Sequence, residues 1–266
     1  MQFFNKSILL FIPCRNCETS IVEVISNIPQ ELRGQIECLI IDNQSTDSTS
    51  ELVFKEINNE NHPFKINLIK TKNDIGYAGS QKLAYLLATQ SPNVKYVIML
   101  HGDGQYDPSL LKDFVPLINN KYAIVNGFRD KRTYPHREET PFITYYIIKI
   151  LSWFESLITG HTHKEWHSGF VMYDSDFLRK IPLQFLSDIP HIDAEFLICA
   201  GILNENTKSI PIYKNYDGYE AFCGLPRIRH VLNVFKIMFK FRIGYYHTIL
   251  TANNVSKINY KYDIIA

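Results

Sequence analysis

The stretch VKYVIMLHGDGQYDP, residues 94–108, passes from a continuous apolar run into a loop rich in His, Gly, Asp and Gln. Apolar runs that do not alternate with polar residues are typical of strands covered on both faces of a sheet. Pro108 then begins a segment with helical spacing, since proline is favoured in the first turn of a helix. The stretch therefore predicts a buried strand, a polar loop and a helix in succession.

The same succession recurs through the first half of the chain, with helices predicted between the strands. Further buried strands are predicted in SILLFIP (7–13), IECLIID (36–42), KINLIKT (65–71) and YAIVNGF (122–128). This alternation predicts an α/β fold with an open, mostly parallel sheet. Ligands of such sheets bind beyond the carboxyl ends of the strands. The polar groups at Asp42, 73–76 and 101–105 should therefore meet at one edge.

The second half is less regular. Helices are predicted in PFITYYIIKILSWFESLI (141–158), in HIDAEFLICAGIL (191–203) and in the basic segment RIRHVLNVFKIMFKFRIGYY (227–246). SGFVMYDSDFLRKIP (168–182) indicates a short strand and then a helix. TKSIPIYKNY (207–216) indicates an edge strand, because Pro211 limits ladder hydrogen bonds. Residues after Thr251 carry no clear pattern.

Length and composition limit the possible classes of protein. The chain has 266 residues, of which 45% are hydrophobic, which suits one large domain with a modest extension. A net charge of +1 gives no general case for nucleic acid as a partner. Five scattered cysteines suggest reduced thiols and a cytoplasmic protein. We expect no membrane span, because the chain lacks a run of 18 uncharged apolar residues.

Eight short motifs occur in an order that matches a known family. They are IPCRN, IIDNQSTDST, KNDIGYAGSQKLAY, HGDGQYDP, NGFR, HSGFVMY, HIDAEF and IPIY. Together they resemble family 2 glycosyltransferases, most nearly the branch similar to dolichyl-phosphate mannosyltransferase, over about residues 7–245. The resemblance implies a GT-A fold, with a Rossmann-like sheet, flanking helices and a helical C-terminal extension. Residues 1–225 would form the transferase domain, with a nucleotide half to about 130 and an acceptor half from about 131. Residues 226–266 would form a basic helix and tail.

The resemblance also implies an activity. Members of the family transfer a sugar from a nucleotide donor, with inversion, using a divalent metal. We expect a hexose to move from a UDP- or GDP-sugar to a lipid phosphate, or to a glycan or glycolipid. Such a reaction belongs to the synthesis of cell-surface polysaccharide or glycolipid.

The loop after residue 100 matches the family's metal site. A leaving diphosphate needs its charge neutralised, which Mn²⁺ or Mg²⁺ does when held by oxygen ligands. The family's Asp-x-Asp motif, often followed by x-Gln, corresponds to His101, Asp103 and Gln105. Asp103 is the expected ligand and Gln105 would assist. His101 replaces the first carboxylate, and imidazole can bind Mn²⁺ or contact phosphate. A turn that caps the next helix is the structural alternative.

Other residues match the family's nucleotide-sugar site. Asp42 would hold the base or ribose, since a carboxylate accepts N–H and O–H donors well. Glycines in the third loop would let the backbone approach the nucleotide closely. Helix capping by Asp42 and simple turn formation by the glycines are the alternatives. The full set is Pro13, Arg15, Asn16, Asp42, Asn73, Gly76, Gly79, Gly102 and Asp103.

The acceptor side and the catalytic groups match motifs in the second half. Arg129 would bind the diphosphate or an acceptor phosphate, and His167 and Ser168 match an acceptor-side turn. Asp193 would be the general base for a hydroxyl acceptor, or would orient a phosphate acceptor, with Glu195 in support. The alternatives are a solvated Arg129, a packed His167, and acidic residues that favour the first turn of a helix.

Other classes of protein are also possible. Cys14 and Cys17 follow a strand, as a redox pair would, but the remaining motifs point elsewhere. A nucleotidyltransferase would show a Gly-rich first loop, which PCRNCETS is not. A binding protein that keeps the nucleotide pocket but lost turnover at His101 is the non-enzyme alternative.

Contact with a membrane surface is expected from the segment 227–247. It carries basic residues among large apolar ones and no acidic residue, a composition that favours anionic headgroups. FITYYIIKILSWF (142–154) would be a second contact. We therefore expect a peripheral location on the inner face of the cytoplasmic membrane. Ordinary amphipathic helices that bury one apolar face are the alternative.

Overall fold

The structure is a computed structural model that describes residues 4–59, 63–216, 225–252 and 258–266, with the side chains of 225–227 left out. Cys223 and the last part of the predicted acceptor half therefore lie outside the described residues. The described residues form one sheet with helices on both faces.

The sheet has eight strands in the described part of the chain. They are β1 (Ile8–Cys14), β2 (Ile36–Asp42), β3 (Ile66–Thr71), β4 (Tyr96–Met99), β5 (Ile124–Arg129), β6 (Val171–Asp174), β7 (Thr207–Ile212) and β8 (Tyr262–Ile264). Their order across the sheet is β7-β5-β6-β4-β1-β2-β3-β8. The predicted α/β fold with a mostly parallel sheet is confirmed, and β7 lies at an edge as predicted.

The direction of the strands decides what meets at the site. β1 pairs in parallel with β2 and β4, β2 pairs in parallel with β3, and β5 pairs in parallel with β7. Their carboxyl ends therefore share one edge. β6 runs antiparallel to both β4 and β5. Its first residues consequently lie at the same edge, which brings the HSGF turn beside the loops that follow the parallel strands.

Nine α-helices occur in the described residues. They are α1 (Ile21–Ser26), α2 (Thr49–Ile57), α3 (Gly76–Thr89), α4 (Leu111–Phe114), α5 (Phe142–Thr159), α6 (Ser175–Lys180), α7 (Ile192–Ile202), α8 (Leu225–Arg242) and α9 (Tyr245–Thr251). The apolar residues of β1 to β4 point alternately into two buried clusters, one on each face of the sheet.

The helix predicted after Pro108 is wrong as a single element. The structure divides it into a 3₁₀ turn at Pro108–Leu110, the four-residue α4 and a second 3₁₀ turn at Val115–Leu117. Pro116 has no amide hydrogen, so it cannot donate the backbone hydrogen bond to the carbonyl of Lys112 that a regular α-helix would contain. The chain therefore cannot continue a regular helix at this point.

The C-terminal segment packs on the same core as the rest of the chain. Gly244, with φ of +77°, separates α8 from α9 within the predicted basic helix. Val234, Ile237 and Tyr246 belong to the buried cluster that contains α3 and α7. The last residues form β8, which pairs antiparallel with β3 and has no clear sequence pattern.

Candidate active site

The loops after β1 and β2 are tied to each other at the carboxyl edge. The amide of Asn16 donates to Ser45 Oγ at 2.9 Å, and the amide of Thr46 donates to Asn16 Oδ1 at 2.9 Å. Asn16 adopts a positive φ of 54°, which asparagine tolerates better than most residues. Pro13, at the end of β1, accepts from the amide of Gly102 at 3.2 Å. The predicted nucleotide loops thus form one connected rim.

Asp42 lies beneath this rim and is fully buried. Its carboxylate accepts from the amide of Ser45 at 2.8 Å and from the hydroxyl of Ser50, with Lys70 Nζ 3.7 Å away. These contacts order the loop between β2 and α2. Its predicted contact with the nucleotide stays a prediction.

The loop after β3 carries an acidic residue that sequence reasoning missed. Asp74 forms an ion pair with Arg15 and accepts from Asn43 Nδ2 at 2.8 Å. The bond from Asn43, followed by those from Arg15 and the amide of Gly76, lowers the pKa of Asp74 to about 2. Arg15 is therefore fixed across the rim by a carboxylate that remains charged.

The three residues predicted in this loop have different surroundings. Gly76 adopts a φ of +67°, which favours glycine, and Gly79 packs so closely on Ile75 that a Cβ would lie 2.8 Å from its side chain. Asn73 is exposed on the surface of the loop. Their contact with a nucleotide stays a prediction.

The loop after β4 places His101, Asp103 and Gln105 at the edge. Gly102 is needed here, because a Cβ would overlap Cys14 Sγ and lie 3.2 Å from the carbonyl oxygen of Pro13. Asp103 Oδ1 accepts from the amide of Gln105 at 3.0 Å, and its side chain is 37% exposed. The turn therefore presents one carboxylate oxygen outward.

The donor set of this loop fits a divalent ion. His101 Nδ1 lies 3.9 Å from Asp103 Oδ2, which two metal–ligand bonds of about 2.1 Å can span. Burial lowers the pKa of His101 to about 4, so its ring is neutral and carries a lone pair. One carboxylate and one imidazole can therefore reach the same ion, and metal binding by His101 stays a prediction.

A cavity of about 810 Å³ opens beside this loop. Residues from the sheet edge and from four helices line it, among them Tyr77, His101, Gln105, Arg129, His167, Asp193 and Lys214. Most of the predicted catalytic and acceptor residues thus share one space. A second cavity, of about 830 Å³, lies at the amino ends of β1 and β4 and contains none of the predicted site residues.

Lys214 is a basic residue of the cavity that sequence reasoning missed. It follows β7, whose Ile212 pairs with Arg129 at the end of β5, so both side chains reach the same edge. Its Nζ lies 5.0 Å from the centre of the Tyr106 ring. Burial, and then the charge of Arg129, lowers the pKa of Lys214 to about 8. Its position directly after the strand β7, which is parallel to β5, was the signal in the sequence that could have indicated Lys214.

Asp193 lies in the cavity at the start of α7 and is 7% exposed. Its carboxylate accepts from Tyr173 at 3.0 Å and from Gln81 at 3.3 Å. Burial raises the pKa of Asp193 to about 6, although these hydrogen bonds oppose the shift. A carboxylate with such a pKa can take a proton at neutral pH.

One hydroxyl joins this carboxylate to the loop after β4. The Tyr77 oxygen lies 3.2 Å from His101 Nε2 and 3.4 Å from Asp193 Oδ2. The candidate base and the candidate metal ligand are therefore neighbours, although they are about 90 residues apart in the chain.

Two predicted residues face away from the cavity. Glu195 is fully buried on the other side of α7, where it lies 2.6 Å from the hydroxyl of Tyr246 and accepts from the amide of Ser187 at 2.7 Å. Ser168 Oγ accepts from the amide of Phe170 within its own turn. These contacts are structural, because helical residues two apart point to different sides and the hydroxyl is used locally.

Arg129 lines the cavity but already has a partner. Its Nε donates to Glu165 Oε1 at 2.8 Å, its amide donates to Glu165 Oε2 at 2.9 Å, and its Nη2 donates to the carbonyl of His167. Glu165 is fully buried and was missed in the sequence. Arg129 therefore holds the HSGF turn, and its predicted anion contact stays a prediction.

His167 belongs to a cluster of three histidines with one carboxylate. Its ring stacks on His191 at 4.4 Å between centroids, and His230 completes the group. Glu155 of α5 lies 2.9 Å from His167 Nε2 and 2.7 Å from His191 Nε2. His167 of the HSGF turn thus belongs to a buried cluster of ionisable side chains in the wall of the cavity.

Comparison with known proteins identifies the class of this enzyme. The family model for glycosyl transferase family 2 matches residues 9–181, which is well over half of the chain. The chain therefore belongs to glycosyl transferase family 2, and it is a glycosyltransferase with the predicted GT-A fold. None of the curated protein sequences compared with the chain matches it.

Solved structures share the fold at low sequence identity. Glucosyl-3-phosphoglycerate synthase from Mycobacterium tuberculosis, in complex with Mn²⁺, UDP and phosphoglyceric acid, superposes with a TM-score of 0.61 at 12% identity. The match covers 90% of this chain and 79% of that one. S. aureus TarS (residues 1–349) superposes with a TM-score of 0.50 at 15% identity, covering 77% of this chain and 58% of TarS.

Proposed function

We propose that this chain is an inverting transferase that moves a hexose from a UDP- or GDP-sugar to an acceptor held at a membrane surface. The observation that carries the proposal is the position of the cavity. One side of the cavity is polar and is formed by His101, Gln105 and Lys214. We call it the donor side. The other side lies between α5 and α8, whose outward faces carry large apolar side chains. We call it the acceptor side.

The donor side supports binding of a nucleotide diphosphate with a divalent ion. Asp103 and His101 would hold Mn²⁺ or Mg²⁺, with Gln105 beside them, and the bound ion would neutralise charge on the leaving diphosphate. Lys214 adds a positive charge to the same space. The synthase from M. tuberculosis, which has this fold, was crystallised with Mn²⁺ and UDP and also with Mg²⁺ and UDP.

Asp193 supports acid–base chemistry on the acceptor. An acceptor hydroxyl must lose its proton as it attacks the anomeric carbon, and a buried carboxylate with a pKa of about 6 can take that proton. A phosphate acceptor is already anionic, and Asp193 would then orient it. The substitution of this residue therefore distinguishes the two kinds of acceptor.

Helix α5 has the reverse of the usual amphipathic pattern. Its outward face is apolar throughout and consists of Phe142, Ile143, Tyr146, Ile150, Trp153 and Leu157, each at least 50% exposed. Its inward face carries buried polar residues, among them Ser152 and Glu155. A surface helix of a protein in water normally places these residues the other way round. The outward face of α5 therefore suits contact with lipid.

Helix α8 extends this apolar surface and adds positive charge. It packs against α5 through the rings of Phe154 and Phe235, whose centroids are 5.2 Å apart. Its exposed apolar residues are Ile228, Leu232, Phe235 and Phe239, followed by Ile243 after the helix ends. Arg229, Lys236 and Arg242 are exposed among them, and the side chain of Arg227 lies outside the described residues. Basic residues around an apolar surface favour anionic headgroups.

We propose that α5 lies along the membrane rather than across it. By length and composition it is the one described helix that could span a bilayer, with 33% of it buried in the protein. However, Glu155 is fully buried against the histidine cluster, and Lys149 Nζ donates to the carbonyl of Arg129 at 3.0 Å. These contacts hold α5 on the sheet domain, so only its outward face is left for lipid. A lipid-linked acceptor could then enter the cavity between α5 and α8, as the resemblance to the dolichyl-phosphate mannosyltransferase branch also suggests.

Transfer is tested with labelled UDP- and GDP-hexoses, Mn²⁺ and an extract of membrane lipids. We expect label to appear in the lipid phase with the unaltered chain and not with Asp103→Ala. Label that appears only on soluble saccharides would contradict the lipid acceptor. Binding of nucleotide sugar without any transfer would instead support a degenerate binding protein.

Membrane contact is tested separately by flotation with liposomes. We expect binding to anionic vesicles at low salt, with weaker binding at high salt because the charges are screened. Ile150→Glu with Trp153→Glu should abolish it. Phe54→Glu is the matched control, since Phe54 is also exposed but lies on α2, away from this surface. Failure of the unaltered chain to float with anionic vesicles would exclude the membrane surface.

A further inference from the structure

Three imidazoles meet on the acceptor side, outside the donor-side metal loop. His167 precedes β6, His191 precedes α7 and His230 lies in α8, so three separate segments converge. One nitrogen from each ring lies within 4.8 Å of the others. All three residues line the cavity. Such convergence of nitrogen donors from distant segments is the arrangement of a metal-binding site.

The carboxylate of Glu155 directs two of these rings. Its Oε1 lies 2.7 Å from His191 Nε2 and its Oε2 lies 2.9 Å from His167 Nε2, although the latter pair lacks the alignment of a hydrogen bond. Each ring therefore has its Nδ1 on the side opposite Glu155. Histidines that bind metals commonly donate their other ring N–H to a carboxylate in this way.

The spacing of the nitrogens also suits an ion. His167 Nδ1 and His230 Nε2 form a hydrogen bond with 3.0 Å between the nitrogens, which a bound ion would replace. Two nitrogens bound to one tetrahedral zinc ion, with bonds of about 2.0–2.1 Å, lie roughly 3.3 Å apart. A shift of a few tenths of an ångström would therefore bring this pair to the spacing of adjacent ligands.

The charge of Glu155 also favours a bound cation. Glu155 is fully buried, and its salt-bridge partners within the described ranges are His167 and His191 alone. A buried carboxylate needs a positive charge nearby, which protonated rings or a bound cation can supply. A dication bound by the three imidazoles would supply such a charge at short range.

We propose that His167, His191 and His230 form a binding site for a divalent transition-metal ion, with Zn²⁺ as the best fit. Imidazole favours such ions, whereas Mg²⁺ and Ca²⁺ favour oxygen donors. Three histidine ligands leave a fourth position for water or substrate. Because the three rings line the cavity, the fourth ligand would come from the cavity. Glu155 is a positioning residue of this site. The site is separate from the one at Asp103 and does not depend on the proposed function.

The test measures metal binding directly, without an activity assay. Asp103→Asn serves as the parent protein, so that the donor-side loop contributes no carboxylate. Co²⁺ is added to the metal-free parent, and visible absorption is recorded, since tetrahedral Co²⁺ absorbs far more strongly than octahedral Co²⁺. Retained Zn²⁺ is measured after desalting. We expect strong visible bands and stoichiometric retained Zn²⁺.

Variants on this parent locate the ion. His230→Gln and His191→Gln should lose the visible bands, whereas His247→Gln, an exposed histidine of α9, should retain them. Glu155→Gln should retain the ligands but weaken affinity by about 10–100-fold, as loss of a carboxylate partner does. Circular dichroism checks that each variant is folded. If one histidine variant does not fold, the other and Glu155→Gln still decide.

Two results would overturn the proposal. The first is a parent protein that shows neither visible bands nor retained Zn²⁺, which would leave the cluster as a hydrogen-bonded network only. The second is full retention of the bands by both histidine variants, which would place the ion elsewhere. Neither result bears on transfer with Mn²⁺, so the proposed function would stand or fall independently.

Discussion

The donor side and the acceptor side of the cavity are built by different means. The donor side consists of the loop directly after β4, in which Asp103 accepts from the amide of Gln105, and of Lys214, which follows β7. The loops after β1 and β2 form the adjoining rim, held by bonds such as that from the amide of Asn16 to Ser45. The acceptor side consists of α5, α7 and α8, which are separated in the chain and are brought together by tertiary packing. The first is set by local backbone geometry, whereas the second depends on tertiary packing. The two sides should therefore respond differently to substitution.

The largest effect is expected on the donor side. Asp103→Ala removes the carboxylate predicted to hold the metal ion in the loop after β4, and with it the neutralisation of the leaving diphosphate. Metal ions stabilise such charge by several kcal/mol, so turnover should fall about 10³-fold or more. Asp113→Asn, an exposed acid on the neighbouring α4, is the control. Near-normal turnover of Asp103→Ala in a transfer assay with Mn²⁺ would mean that the donor side does not depend on this carboxylate. The proposed difference between the two sides would then not hold.

The acceptor side is tested next by Asp193→Asn. The amide keeps the size and most hydrogen bonds of the carboxylate but cannot take a proton. Turnover measured with saturating donor should fall by about 10²–10⁴-fold if the acceptor is a hydroxyl. A change of only a few-fold would indicate a phosphate acceptor. Glu195→Gln, on the opposite side of α7, should alter stability more than turnover, and the reverse result would reinstate its predicted catalytic role.

Lys214→Met tests whether the end of β7 contributes to binding of the nucleotide sugar on the donor side. Loss of a charge-assisted contact with the diphosphate should raise the KM for the nucleotide sugar by about 10–100-fold. Lys208→Met changes an exposed lysine of the same strand and should leave KM unchanged. Equal KM values for both variants in initial-rate assays would assign Lys214 to packing.

The pH dependence should report both sides at once. Asp193 must be deprotonated to act as a base, and its raised pKa of about 6 means that kcat/KM falls as the pH drops below 6. Lys214 must be protonated to bind an anion, and its lowered pKa of about 8 means that kcat/KM falls as the pH rises above 8. We expect a bell-shaped pH profile in which kcat/KM changes about tenfold per pH unit below and above these two limits. Asp193→Asn should flatten the acid limb only. An acid limb that survives this change would belong to another group.

The smallest effect concerns the packing beneath the donor side. Gly102→Ala would place a Cβ against Cys14 and Pro13, and overpacking of this kind costs about 1–3 kcal/mol. The free energy of unfolding, measured with urea, should fall by that amount. Gly34→Ala meets nothing within 4 Å and is the matched control. Equal stability of the two variants would mean that the loop after β4 adjusts freely.

The loop after β4 and the adjoining rim could be predicted from the sequence because their elements are local, whereas Lys214 was missed. Apolar runs marked the strands, and the residue directly after a run, such as Asp42 or His101, had to lie at their carboxyl ends. The HSGF turn was matched only to an acceptor-side motif, and the antiparallel direction of β6, which the sequence did not reveal, brings it to the same edge.

The acceptor side could be predicted only in part, because its contacts join segments far apart in the chain. No local pattern shows that Glu155 meets His191, that Glu165 pairs with Arg129, or that Glu195 points away from the cavity. The helix predicted after Pro108 failed for a local reason, the second proline at 116. The apolar composition of α5 was clear, but only the structure shows that its polar side is the buried one.

The two edges of the sheet are both unsuited to pairing with another molecule. At one edge, the three-residue β8 pairs with β3 and is itself the outermost strand, and the amide of Leu68 donates to the carbonyl of Ala266 at 2.8 Å. At the other, β7 contains Pro211, which has no amide hydrogen to offer. An uncovered β3 would expose a row of free backbone donors and acceptors, which is a template for intermolecular strand addition. Residues 262–266, which do not line the cavity, therefore leave only a short edge strand on this side of the sheet.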